Sequence, residues 1–377
     1  MYLIKTLLVI ILVTLSVECF AERNIVIDKV YIISKVNIGN GVKLGGISDI
    51  VCENKEVFYI LTDRGPSTKL KTEKGIWGKL LYPDFKPKII RVVLDDVVNR
   101  ANVSTISHIH GIEGHCSGKP AWPYLKEWPN YPEYILDPDN RKVSPDIDGI
   151  DPKGLVRLDN GKFIITEEYG PSILHNNYYL KEGVDAIYKR VYLLPQRRNN
   201  RGLEAVALSE DNKYLWTCLQ SPIIETSLNV PFIVYDIENR KVIKEMNYRL
   251  EEDTKDGKIC AMRRLDKEHV VVLEQSDTTN AKLFKFNVND KTKTLFASMD
   301  KILPQMSKDI TNNKSEKTTG LKLEGFCFID GFTIAMVNDN DFNFNSTMGD
   351  KPQYPKELVD PEMRKSCLWI LKLSHEF

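Results

Sequence analysis

Acidic residues in this chain stand where short apolar runs begin or end, the positions from which carboxylates can be aimed at a common point. Glu167 and Glu168 close FIITEEYGP, Glu204 follows Asn200-Arg201-Gly202 at the start of LEAVAL, Glu324 opens EGFCF, and Asp339 lies in NDND at 338–341. Like charges gathered in one place repel unless a cation or an arginine holds them, so a central set of Glu113, Glu167, Glu204 and Glu324 predicts a partner. Oxygen donors suit Ca²⁺ or another divalent metal, with Glu113, Glu168, Glu204, Glu324 and Asp339 as candidate ligands. NDND lacks the full EF-hand spacing. Arg64, Arg201 and Lys322 are the candidates for holding an anionic substrate, a guanidinium being suited to gripping phosphate through two hydrogen bonds. HGIEGH at 110–115 is the compact grouping of histidine with acid; His110 or His115, titrating near neutrality, can give a proton to a leaving oxygen. It is not HExxH, and the GxSxG nucleophile elbow is absent. The chemistry these residues favour is metal-assisted attack of water, with Glu113, Glu167 and Glu204 as catalytic carboxylates and arginine holding the developing charge. For any single acid the competing role is ordinary turn capping.

These residues need elements that deliver them to one face. Residues 151–171, DPKGLVRLDNGKFIITEEYGP, read as an apolar strand, a tight turn at Asp159 to Gly161, a second β-branched strand and an acidic end. The plan returns 48 residues later at 201–222, and again at 45–66 and 323–341. A further two-strand core spans 258–276, and one more is disrupted around 89–116. Such a period fits the blade of a four-stranded radial sheet. The expected fold is all-β, a β-propeller of six blades, with five or seven as alternatives. Alternating strands at 25–33 and 368–373 can pair and close the ring.

At 377 residues the chain is long enough for one large domain, expected over 22–377 with long loops at 67–88, 100–150, 305–320 and 342–366. Its 52 basic and 52 acidic residues balance, so no field favours nucleic acid or an anionic membrane. Residues 1–21 carry one lysine and an apolar run from Leu7 to Leu15 that is too short to span a bilayer; they read as a secretory signal peptide, against an uncleaved anchor. The mature chain is then secreted, or lumenal in the secretory or endolysosomal pathway, with no membrane span. Six cysteines remain after cleavage, Cys52, Cys116, Cys218, Cys260, Cys327 and Cys367; an even number in an oxidising compartment suggests disulfides, with pairing open and burial as small apolar groups the alternative. Asn102, Asn313 and Asn345 head acceptor sequons for N-glycosylation.

Taken together and in order, GGISDI…YILTDRGP, GIEGH, DPKGLVRL…GKFIITEEYGPSILH, RRNNRGLEAVALSEDNKYLWTCLQSP and LEGFCFIDGFTIAMVNDNDF resemble the secreted proteins that carry the "esterase-like activity of phytase" domain, over about 45–345. The resemblance implies a propeller-like fold and a hydrolase of phosphate or other esters. The family's acidic-Glu-Tyr-Gly-Pro segment corresponds to Glu167–Pro171, and its Asn-Arg-Gly-hydrophobic-Glu-Gly to Asn200–Ala205, where Ala205 replaces glycine. The RHGxRxP motif of histidine phosphatases is absent. The function expected is a secreted, metal-dependent hydrolase of phosphate monoesters or related small-molecule esters. A calcium-dependent lactonase or arylesterase is the second reading, and a non-catalytic binding propeller the third.

Overall fold

The computed structural model describes residues 23–72, 75–121, 135–176, 186–193, 196–251, 257–276, 280–311, 321–343 and 364–376. Among them run five four-stranded antiparallel sheets. The first comprises β2 (Ile47–Cys52), β3 (Val57–Thr62), β6 (Lys88–Asp95) and β7 (Arg100–His110). In the second are β9 (Pro152–Arg157), β10 (Phe163–Glu167), β11 (Ser172–Asn176) and β12 (Ala186–Tyr192). The third is β13 (Leu203–Leu208), β14 (Tyr214–Leu219), β15 (Asn229–Asp236) and β16 (Lys241–Arg249), and the fourth β17 (Lys258–Arg264), β18 (His269–Gln275), β19 (Ala281–Asn287) and β20 (Lys293–Ser298). The fifth takes β21 (Lys322–Asp330), β22 (Thr333–Asp339) and β23 (Cys367–Leu373) from the C-terminal part, and β1 (Ile25–Ile33) from the N-terminal part as its outer strand.

Each innermost strand packs against the next, β2 on β9, β9 on β13, β13 on β17, β17 on β21, and β21 back on β2. The ring is a β-propeller of five blades. Six were expected because the strands at 89–116 looked like a further core; they are the outer two strands of the first blade. Closure follows the pairing anticipated from the chain ends, with Ile25 opposite Leu373 and Tyr31 opposite Leu368. A blade with no edge left open at the ring seam avoids the aggregation hazard of an unpaired strand.

The hydrophobic pattern reflects position in the ring. Inner strands are covered on both faces by neighbouring blades, so β10 and β22 are buried at every residue and read as unbroken apolar runs. The outer strand β16 is covered on one face only and alternates, with Met246 and Tyr248 buried among exposed neighbours.

Three of the expected loops contain regular structure. Segment 67–88 holds the hairpin β4 (Ser67–Thr72) and β5 (Gly75–Leu80), joined in parallel by β8 (Ile135–Leu136). Segment 100–150 begins with β7, whose two ends pair in parallel with β1 and β12 and stitch the rims of adjacent blades. Segment 305–320 opens within helix α1 (Leu303–Ile310), which buries Leu303, Met306 and Ile310. Residues 1–21, Asn313, Asn345 and most of 342–366 lie outside the described residues. Asn102 is exposed on β7, where its side-chain oxygen accepts a hydrogen bond from Ser34 at 2.9 Å. The six cysteines are all free thiols, which corrects the disulfide expectation: Cys116, Cys218, Cys260, Cys327 and Cys367 are buried as small apolar groups. No helix among the described residues is long and apolar enough to cross a membrane.

One ion pair ties the inner strands together. Arg263 of β17 donates to Asp49 of β2 at 2.5 Å and to the carbonyls of Ile50 and Val206 at 2.6 and 3.2 Å, while the Leu155 N–H donates to Asp49 at 2.7 Å. β21 contributes Gly325 at this point, since a Cβ there would lie 2.8 Å from the Asp49 carboxylate. Removing one partner of a buried pair strands the other charge. Arg263→Met is therefore expected to lower unfolding free energy by about 3–5 kcal/mol in urea melts, whereas Arg264→Ala, at an exposed neighbouring position, stays within about 0.5 kcal/mol.

Candidate active site at one end of the ring

Every blade carries the same irregularity near the start of its inner strand. The register skips one residue between Ile47 and Asp49, Pro152 and Gly154, Leu203 and Ala205, Ile259 and Ala261, and Leu323 and Gly325. The extra residues are Ser48, Lys153, Glu204, Cys260 and Glu324. A bulge leaves one residue unpaired and re-aims its side chain, so all five blades present a redirected side chain at the same end of the ring. The ends of the second strands add to it, with Glu168 just past β10, Asp63 just past β3 and Asp339 at the end of β22.

The result is a buried cluster in which carboxylates alternate with cations. Lys153 Nζ lies 3.4 Å from Glu168 Oε2 and 3.5 Å from Asp151 Oδ1. Arg64 lies 3.0 Å from Asp151 Oδ2 and donates to Asn200 Oδ1 at 2.7 Å. Lys258 donates to Glu324 at 2.7 Å. Lys322 bonds Asp341 and stands 3.8 Å from Asp339. Gly202 permits the second and third blades to meet here, because a Cβ on it would fall 2.0 Å from the Glu168 carbonyl oxygen. Asp151 and Glu168 are fully buried and Glu204 nearly so.

Burial and charge divide the acids into two kinds. Burial opposes ionisation of Glu168, but Lys153, Arg64 and Arg197 outweigh it and hold its carboxyl at about 2. Asp151 is pushed up to about 8 by burial, which exceeds the pull of Lys153 and Arg64, with Glu168 and Asp63 adding repulsion. Glu204 is driven well above the usual carboxylate range by burial, with Glu324 and Glu168 adding repulsion against the attraction of Lys153. Asp339 rises for the same reasons, burial first and then Asp341. Lys153 stays charged, since Asp151, Glu168 and Glu204 together overcome its own desolvation. Carboxyls with opposed proton affinities in one site are the ordinary arrangement for an acid and a base.

The ring brings together Glu168, Glu204, Glu324, Asp339 and Lys322 of the residues singled out from sequence. Arg64 and Arg201 are there too, but engaged, Arg64 by Asp151 and Asn200, and Arg201 by Gln220. Glu167 points elsewhere: its carboxylate accepts from the Tyr169 and Gly170 N–H groups, both at 2.9 Å, and from Ser172 at 2.7 Å, closing the turn after β10. Side chains alternate along a strand, so of two adjacent glutamates only one can face the axis. Glu113 is exposed, its N–H fixed by Asp148 at 2.6 Å, at the end of an outermost strand. His110 and His115 pair there in a hairpin with ring centroids 4.0 Å apart and do not join the carboxylates. The central set expected from sequence is thus corrected at Glu113 and Glu167. Lys153 and Lys258, which sequence reading missed, stand at or beside the bulges. Matching Gly154 with Gly202 gave a period of 48, whereas the equivalent residues Lys153 and Glu204 are 51 apart.

The oxygens of Glu168, Glu204, Glu324 and Asp339 have the chemistry a hard cation takes. Lysine ammonium groups stand among them, however, and among the described residues no three acidic, histidine or cysteine side chains are placed to hold one ion. As placed, these residues do not fit a resident metal. The different duties of the glutamates give a direct stability test. Glu167→Ala, which orphans three donors, is expected to lose about 2–4 kcal/mol in denaturant melts, and Glu113→Ala to change stability by no more than about 0.5 kcal/mol.

Comparison with curated proteins returns no match. Among solved structures, a luciferin-regenerating enzyme aligns at 9% identity over 92% of this chain and 95% of its own, with a TM-score of 0.41. The periplasmic gluconolactonase of Pseudomonas aeruginosa aligns at 10% identity over 86% and 87%, with a TM-score of 0.40, and a GH43 β-1,3-galactosidase at 8% over 92% and 60%, with a TM-score of 0.47. At these scores none of the three carries an argument about this chain, whose ring stands on its own strand pairing. The family comparison does: the phytase-like model, described as esterase-like activity of phytase, matches residues 42–342, and the chain belongs to that family.

Proposed function

We propose that this protein hydrolyses a small-molecule ester at the axial cluster, with Glu168 as base and Glu204 as acid. The observation that carries the reading is the gathering of Glu168, 3.4 Å from Lys153 and held low, and Glu204, turned out of the ladder by its bulge and driven high, at one end of the ring. Glu168 takes a proton from the attacking water as its oxygen bonds to the ester centre. Glu204 gives a proton to the leaving oxygen as that bond breaks. Lys153 and Lys258 stabilise the negative charge that develops between these events. Solvent then resets both carboxyls.

A phosphate monoester is the first substrate class, because several ammonium groups are gathered at the mouth and Lys322 is the most exposed of them. A neutral lactone or aryl ester is favoured by a different observation: Arg64 and Arg201, the guanidinium groups suited to phosphate, are engaged by Asp151, Asn200 and Gln220. Turnover of p-nitrophenyl phosphate against phenyl acetate and a δ-lactone separates the two, and activity on none of them leaves a binding propeller.

Glu168→Gln and Glu204→Gln are each expected to lower kcat by about 10²–10⁴-fold with the fold retained by circular dichroism. Glu168 is ionised across the ordinary assay range, so the wild-type rate has no acid limb from that group. The rate falls on the alkaline side as Glu204 loses its proton, and Glu204→Gln, which cannot ionise, abolishes that limb. A metal requirement is a separate part of the reading, since an ion would have to displace Lys153 from Glu168. Chelation is expected to leave turnover within about twofold, and loss restored by Ca²⁺ would return a cation to the mechanism.

A further inference from the structure

The histidines at the rim take no part in the axial chemistry, yet the fold packs them together. His108 and His110 lie two residues apart on β7, so their side chains leave the strand on one face. His115 stands opposite His110 in an antiparallel bridge and therefore joins them on that face. Ring centroids are 4.0 Å apart for His110 and His115 and 4.5 Å apart for His108 and His115. One short stretch of chain, 108–115, thus brings three imidazoles into contact.

The hairpin that carries them is held by its own backbone. The Gly111 N–H donates to the Gly114 carbonyl and the Cys116 N–H to the Ile109 carbonyl, both at 2.7 Å. Asp148 accepts from the Ile112 and Glu113 N–H groups at 2.7 and 2.6 Å, and a Cβ on Gly111 would run into that carboxylate. A turn fixed in this way presents its side chains without having to be ordered by a ligand. Lys88 is the cross-strand partner of His108, but its ammonium bonds the Lys86 carbonyl and sits 4.7 Å from the centre of the Phe85 ring. His108 and His110 are half-buried and His115 is exposed, so an ion can reach the cluster from solvent.

Donor chemistry separates this group from the axial one. Imidazole nitrogens suit Zn²⁺, Cu²⁺ and Ni²⁺, whereas Ca²⁺ takes carboxylate and carbonyl oxygens. With metal–nitrogen bonds of about 2.0–2.1 Å, two imidazoles on one ion bring their ring centres to about 4.5–5 Å. As they stand, the rings overlap at tilts of 35° and 56° and do not aim at one point. Their separations differ from the liganded figure by no more than about 1 Å, a gap that rotation of the exposed His115 side chain closes.

We propose that His108, His110 and His115 form a site for a divalent late first-row metal ion, of the Zn²⁺ or Cu²⁺ class, on the rim between the first two blades. β7 pairs with β12 at Ile109 and His110, so an ion bound here fastens the hairpin where the first blade meets the second. The role is structural, and it depends neither on the axial cluster nor on turnover.

The test is titration of the full chain, carrying no histidine tag, with Zn²⁺ by calorimetry and by NMR of the imidazole C–H signals. One Zn²⁺ per chain is expected, with a melting temperature that rises with Zn²⁺ concentration. The signals of His108, His110 and His115 move while those of His175, His269 and His375 do not, and Ca²⁺ moves none of the first three. Loss of a ligand costs at least what loss of its outer partner does, so His110→Ala and His115→Ala are each expected to weaken Zn²⁺ binding by at least about tenfold. His115→Ala, at an exposed position, keeps the metal-free melting temperature of the parent, and His269→Ala and Glu204→Gln leave Zn²⁺ affinity unchanged. Absence of saturable Zn²⁺ binding, binding that survives both rim substitutions, or binding that Glu204→Gln removes overturns the proposal.

Discussion

The structure depends on a single charged contact at the ring axis, Arg263 against Asp49. A radial sheet arrangement converges five strand backbones on a narrow axis, and what fills that axis sets how closely they approach. The residues that follow the bulges are Asp49, Gly154, Ala205, Ala261 and Gly325. Four are small and one is an aspartate, so there is room for a guanidinium to cross to it and reach backbone carbonyls from the first, third and fourth blades. A buried ion pair is a weak source of net stability, because desolvation consumes most of the attraction. Its value here is in fixing register: an apolar pair could slide, whereas four directed hydrogen bonds from one guanidinium cannot all be kept if a strand shifts.

Register matters because the candidate site is made of register errors. Each inner strand carries one residue too many, and that residue is turned out of the ladder at the same height in all five blades. Lys153, Glu204 and Glu324 are the charged members. The bulge explains how residues in the interior of a continuous β-sheet structure can face an axial space rather than a neighbouring blade. It also explains why acids so close together are tolerated. Each is buried, but the lysines come from the same strand ends, so attraction and repulsion are built in together. Proton affinities divide accordingly, with Lys153 and Arg64 holding Glu168 low against burial and burial driving Glu204 high. Acids held this close and this deep cost stability unless cations stand among them.

The outer parts of the ring do a different job. β7 is paired at one end with β1 and at the other with β12, so it crosses from the seam blade to the second blade along the rim. The histidines at its end belong to this rim. Their compact spacing in sequence suggested a share in the axial chemistry, but a hairpin on an outermost strand is the place in a propeller farthest from where the inner strands meet.

Much of the fold was legible in the chain itself. Alternation and turn residues are local signals, and they marked five strand pairs and the terminal strands that close the ring. The ordered motifs were enough to place the chain in its family. The count of blades was not legible, because an outer hairpin and an inner one share the same pattern and differ only in what covers them. The site was half legible. That acids would gather at strand ends followed from the repeat; which acids did so was decided by tertiary structure. Adjacent residues face opposite ways along a strand, so Glu167 and Glu168 are equivalent in sequence and opposite in space. A bulge of one residue reverses that choice without leaving a mark on composition, and it is why Lys153 and Lys258, unremarkable as sequence, became the charges around which the carboxylates are arranged.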